Sequence, residues 1–159
     1  MSAPRALANQ KLYHAKILIN AWRVDLAEED VAAVVLEQAF GLAVCRYLAE
    51  AYGWFLLEIA QPGIIPAQPP ACCAQLPPPD EGRQTPPEIL EFQHLEGSDW
   101  LKKILRPGRV ANESPSGHGP GSLSLATVVE TSFDPDQAEA SHVRLSQLFD
   151  RMTDSLDEY

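Results

Sequence analysis

The stretch VAAVVLEQAFGLAVCRYLAEAYGWFLLEI, from Val31 to Ile59, decides the fold. Val31, Val34, Gln38, Leu42, Cys45, Ala49, Tyr52, Leu56 and Ile59 recur at three- and four-residue steps and form one helical seam. Leu36, Phe40, Ala43, Tyr47, Trp54 and Leu57 make much of the opposite side apolar as well. A helix apolar on nearly every side belongs at the centre of a bundle. It is long enough to span a bilayer, yet it carries Glu37, Arg46, Glu50 and Glu58. Each such charge costs about 2.5–3.5 kcal/mol at a bilayer centre, so the stretch is expected to be a buried helix of a soluble protein.

Working outward, Ala8, Leu12, Ala15, Ile19, Trp22 and Leu26 trace a single apolar stripe on a preceding helix. Asp25–Asp30 reads as a short acidic connection or as the first turn of the next helix, and so short a loop predicts a hairpin with the central helix, because it makes successive helices antiparallel neighbours. Gly41 and Gly53 lower helix propensity but are expected to let a neighbouring helix approach closely. After Ile59 the composition changes. Pro62, Pro66, Pro69, Pro70, Pro77, Pro78 and Pro79 preclude regular helix and predict a linker or an ordered strap across the bundle. Thr85-Pro86-Pro87-Glu88 has the spacing of a capping box, and Ile89, Phe92 and Leu95 follow at helical spacing. Gly97 is expected to interrupt this helix, with Ser98 or Asp99 restarting it through Trp100, Leu101, Ile104 and Leu105. Asn112–Ser122 reads as a loop, and Leu123–Val129 as an extended segment or a helical turn. Asp134-Pro135 then caps a last helix whose stripe is Ala138, His142, Leu145, Phe149, Met152 and Leu156.

The sequence therefore predicts an all-α fold, an antiparallel bundle of about four main helices with long Pro-rich and Gly/Ser-rich connections. The helices are Arg5–Leu26, Glu28–Ala60, Pro86–Leu105 (broken near Gly97) and Pro135–Leu156. Residues 1–159 make one domain, with irregular segments at about 61–84 and 107–133.

Net charge is −10, which repels phosphate backbones and argues against nucleic acid and anionic membranes as partners. The charge is also polarised along the chain. From Met1 to Val24 every charged side chain is basic, whereas Asp134–Tyr159 is mostly acidic, so the first and last helices are expected to lie side by side. Polar residues interrupt the N-terminal apolar stretch and no secretory signal is expected. Three cysteines, Cys45 and the adjacent Cys72 and Cys73, do not form a disulfide framework; a reducing cytoplasm fits them.

Chemistry is sparse. No Gly-x-Ser-x-Gly elbow, phosphate-binding loop or His-Glu-x-x-His motif occurs, so no catalytic residue and no cofactor is assigned. The histidines fall on separate segments. A metal would need His14 and His142 to converge with Glu37 or Glu50, and a packed histidine is the plainer reading of His142, which sits on an apolar stripe. Vicinal Cys72 and Cys73 read as incidental thiols, and Cys45 as core. Surplus apolar surface carries more of the sequence, and Tyr47, Trp54 and Trp100 are its candidate interaction residues. The partner it suggests is a second copy or another protein.

Asn9-Gln10-Lys11-Leu12-Tyr13-His14-Ala15-Lys16 and Ser98-Asp99-Trp100-Leu101-Lys102-Lys103-Ile104-Leu105 resemble a family of small uncharacterised bacterial proteins with a domain of unknown function. The resemblance implies an all-helical, cytoplasmic, bacterial protein and transfers no activity. It draws attention to Asn9, Gln10, Tyr13 and His14.

Overall fold

A computed structural model describes residues 2–105 and 133–158, and every regular element among them is helical. Helix α1 is Ala3–Glu28, α2 is Ala33–Leu36, α3 is Leu42–Ala60, α4 is Pro87–Leu95, α5 is Asp99–Leu105 and α6 is Pro135–Asp157. A π-helical turn, Glu37–Gly41, joins α2 to α3, and a 3₁₀ turn, Cys73–Gln75, lies in the Pro-rich segment.

Helix α1 begins under a Ser2 cap, whose hydroxyl accepts from the Arg5 amide. It ends where Glu29 turns into the left-handed region, φ 56°. Its stripe buries Ala8, Leu12, Ala15, Ile19 and Trp22. Contacts with α3 run in reverse order along the two helices: Ser2 bonds Glu58, Lys11 bonds Glu50, and Trp22 stacks on Phe40. The helix expected over Glu28–Ala60 starts at Ala33 instead, because Glu29 breaks the chain after α1. It also carries a wider, π-helical turn at Glu37–Gly41. That turn sets Phe40 parallel to the Trp22 ring, 6.2 Å away, and brings the Gly41 backbone against the edge of Trp22.

Lower down, α3 is buried nearly all round, from Ala51 to Leu57. Tyr52, Phe92, Phe55 and Phe149 pack in series, which ties α3 to α4 and α6; Phe92 meets Tyr52 and Phe55 edge to face, while Phe55 and Phe149 lie 3.9 Å apart and nearly parallel. Asp134 caps α6 as its sequence predicts, accepting from the Gln137 amide at 2.8 Å. The expected capping box at Thr85 does not form. Pro86 occupies the cap position without a side-chain bond, and Glu88 instead accepts from Ser155 of α6. Gly97 does separate α4 from α5. The readings made for Asn112–Ser122 and Leu123–Val129 lie outside the described residues.

The Pro-rich segment crosses α3 at Gly53. A β-carbon there would fall on the Pro70 carbonyl oxygen and stand 2.8 Å from the Pro69 β-carbon, so only glycine admits this approach. Immediately after the crossing, one Glu96 oxygen accepts from the Tyr52 hydroxyl and the Cys73 amide, each at 2.7 Å. The segment is thus fixed to α3 at two successive points. No described helix is long and apolar enough to cross a membrane.

Candidate functional site, the outward face of the first helix

The first and last helices lie in contact, and the polar residues along their seam explain why. Lys16 bonds Glu139 at 2.8 Å, Arg23 bonds Asp136 at 2.9 Å and also reaches Glu139, and the His142 ring pairs with the Leu12 carbonyl at 3.0 Å. The two cations hold the Glu139 carboxyl below the usual carboxylate range. On the α3 side, Lys11 reaches Glu50 at 2.9 Å while Arg46 approaches the same carboxylate at 3.1 Å. The cations of α1 between Lys11 and Arg23 are therefore spent on the flanks of the helix, against carboxylates of α3 and α6.

What remains outside is uncharged. From Ala3 to Ala27 the exposed residues of α1 are Ala3, Ala6, Asn9, Gln10, Tyr13, Ile17, Asn20, Ala21, Val24 and Ala27. Tyr13, Val24 and Ile17 are 66%, 57% and 47% exposed. Helix α6 is of similar length and faces solvent in the ordinary way. Its exposed residues include Asp136, Arg144, Asp150, Arg151, Asp154 and Asp157. On a protein of net charge −10 the outermost strip of α1 carries no charge, while Arg5, Lys16 and Arg23 stand half-exposed at its flanks, which leaves a narrow uncharged strip outside any core. A second apolar patch follows at Val31, Val34, Val35 and Leu42, each at least 44% exposed.

The residues singled out in the sequence fall elsewhere. Tyr47 is half-buried beneath α1, with the His14 ring edge-on at 5.3 Å and the Lys11 ammonium 5.4 Å over its face. Trp54 is 7% exposed and belongs to the core; it offers nothing to a partner. Trp100 packs partly buried under the Arg144 guanidinium. The expected apolar surplus of the central helix is thus consumed inside the chain over its lower half, because the Pro-rich segment and α5 cover what would have been a second face.

His14, Glu37, Glu50 and His142 do not assemble. Glu37 accepts from the Phe133 amide at 2.9 Å, Glu50 is held by Lys11 and Arg46, and His142 faces the Leu12 carbonyl. His14 stands against Tyr47, its Nδ1 buried without a partner among the described residues. Burial pushes the His142 pKa down, which keeps the ring neutral. Among the described residues no three His, Cys, Asp or Glu side chains lie together as metal ligands.

The thiols are equally quiet. Burial raises Cys45 and Cys73 to about 12, so neither is a thiolate at neutral pH. Cys73 lines a cleft of about 360 Å³ between the Pro-rich segment and α4, walled by Ile59, Pro77, Pro79 and Ile89 and rimmed by Asp80 and Arg83.

The sequence reading followed the inward stripe of α1 and, on its back, singled out Asn9, Gln10 and Tyr13 but not Ile17 or Val24. The signal was present, since Tyr13, Ile17 and Val24 follow one another at four and seven residues, the spacing of one helical face. The chain matches no family model, and comparison with curated proteins and with solved structures finds no match.

Proposed function

We propose that this chain is a non-enzymatic, self-associating helical protein whose outward α1 face meets a second copy. The observation that carries the reading is the uncharged exposed face of α1 beside the charged face of α6. Two molecules of net charge −10 repel one another except where a surface is free of charge, and this face is the longest such surface among the described helices. Engagement of the cations in internal ion pairs supports it further, since an interface core tolerates few unpaired charges.

The same reading takes the helices as one antiparallel bundle, with α1, α3 and α6 as its long members. The reversed order of the α1–α3 and α1–α6 contacts supports this arrangement. A cytoplasmic setting accords with the acidic balance and the protonated thiols; a bacterial one rests on the resemblance of 9–16 and 98–105.

One helix pair buries less than the ~1,200 Å² of a standard stable interface, so a weak, concentration-dependent dimer is expected. Sedimentation velocity across a dilution series tests this. A shift from 17.5 kDa toward twice that mass with rising concentration is the expected result. A single 17.5 kDa species throughout would refute the reading.

A further inference from the structure

The exposed positions of α1 are arranged symmetrically about Ala15. Tyr13 and Ile17 stand two residues either side of it, Gln10 and Asn20 five, and Ala6 and Val24 nine. Helical periodicity alone makes the positions symmetric. It does not dictate the residue types, and these are complementary: an aromatic ring opposite a branched side chain, an amide opposite an amide, a small residue opposite a branched one.

Resting on the self-association reading above, we infer that two copies pair their α1 helices antiparallel, on a two-fold axis that crosses the outward face level with the buried Ala15, between Tyr13 and Ile17. Such an axis makes the contact isologous, with the same patch used by both copies. Tyr13 of each copy then covers Ile17 of the other, Gln10 and Asn20 share a hydrogen bond, and Val24 fills the space left above Ala6. A parallel pairing sets each residue against itself. Ala6 on Ala6 leaves a void at one end and Val24 on Val24 a bulge at the other, so the helices splay.

Charge selects the same orientation. Among the described residues before Asp25 the charges on α1 are all basic, beginning with Arg5, and Asp25, Glu28, Glu29 and Asp30 crowd its end. Antiparallel pairing brings each acidic end to the other copy's basic, dipole-positive helix start, where anions are favoured. Parallel pairing stacks the two acidic ends on each other. At the border, Lys16 and Arg23 are already neutralised by Glu139 and Asp136, so they add no repulsion in the antiparallel arrangement.

Single-cysteine cross-linking decides the register. Ala6→Cys and Val24→Cys are made separately in a Cys72→Ser background, where Cys45 and Cys73 are buried. The rise of an α-helix puts the two positions about 27 Å apart along the axis. Only the antiparallel register brings the thiol of Ala6→Cys in one copy within disulfide reach of the thiol of Val24→Cys in the other. Oxidation of the mixed variants is expected to give a covalent dimer, and oxidation of either alone to give none. Self-linking of each variant alone, with no mixed product, would overturn the register in favour of a parallel pair and leave self-association standing. Sedimentation of both variants and of the parent as monomers would overturn register and self-association together. A sedimenting dimer that cross-links in neither way would place the contact away from α1 and overturn both the register and the α1 face.

Discussion

Three side chains show how burial governs the chemistry of single residues here. Cys73 is buried at the crossing point of the Pro-rich segment, its thiol raised to about 12, whereas Cys72 beside it is half-exposed. A thiol reagent at neutral pH is therefore expected to modify Cys72 alone in the native protein and all three cysteines after denaturation; mass spectrometry of the labelled protein reads the difference. Tyr52 donates to Glu96 from a buried position, and burial raises its pKa. Tyr52→Phe removes a hydrogen bond while leaving Glu96 its bond to the Cys73 amide, so a loss of about 1–2 kcal/mol in urea denaturation is expected. His142 titrates in the opposite sense to a histidine that gains an anionic partner. Burial and the nearby Lys16 charge lower its pKa, against the raising effects of the Leu12 carbonyl and Glu139. The unfolded chain consequently takes up this proton first. Stability contributed by the neutral ring is complete above the ordinary value of 6.5 and is lost as pH falls from there through the lower folded value. His142→Gln keeps a donor for the Leu12 carbonyl and is expected to flatten the melting temperature across that window.

Among the elements, the crossing of the Pro-rich segment over α3 depends on one missing methyl group. Gly53→Ala would ordinarily stabilise a helix by about 1 kcal/mol. Here the added carbon meets Pro69 and the Pro70 carbonyl, and the backbone must move, so a net destabilisation of about 1–3 kcal/mol is expected in thermal or chemical denaturation. How much of this was legible varied with the physics involved. The stripes of α1 and α6 could be read because one face of each meets the core, and periodicity reports that directly. The Asp134 cap could be read because its partner lies three residues away. Thr85 had the same local spacing, yet Glu88 found Ser155, a partner 67 residues distant that no local rule anticipates. The π turn was equally hidden. It answers to Trp22 and Phe133, which reach Glu37–Gly41 from other elements. Gly53 was recognised as a place of close approach, but the sequence suggested another helix where the structure has proline.

At the level of the whole molecule, one asymmetry stands out: the outermost strip of α6 is charged, whereas that of α1 is uncharged up to Ala27 and keeps its cations at the flanks. The central helix looked like the source of surplus apolar surface, since its pattern is apolar on both sides. Folding keeps that surplus only at the start of the stretch, at Val31, Val34, Val35 and Leu42. The Pro-rich segment and α5 use up the second face of α3, and further unspent apolar surface lies on α1, at Tyr13, Ile17 and Val24. Ile17 lies at the middle of this face and contributes nothing to the intramolecular core, so a charge at this position acts on association while leaving the fold intact. The patch at Val34 and Val35 supplies the control, being similarly exposed but outside α1. The most direct measurement is sedimentation equilibrium of the parent, Ile17→Asp and Val34→Asp at matched concentrations. The parent and Val34→Asp are expected to dimerise, and Ile17→Asp to remain at 17.5 kDa with an unchanged circular dichroism spectrum. A dimer that survives Ile17→Asp, or that is lost with Val34→Asp instead, would contradict the assignment of the interface to α1.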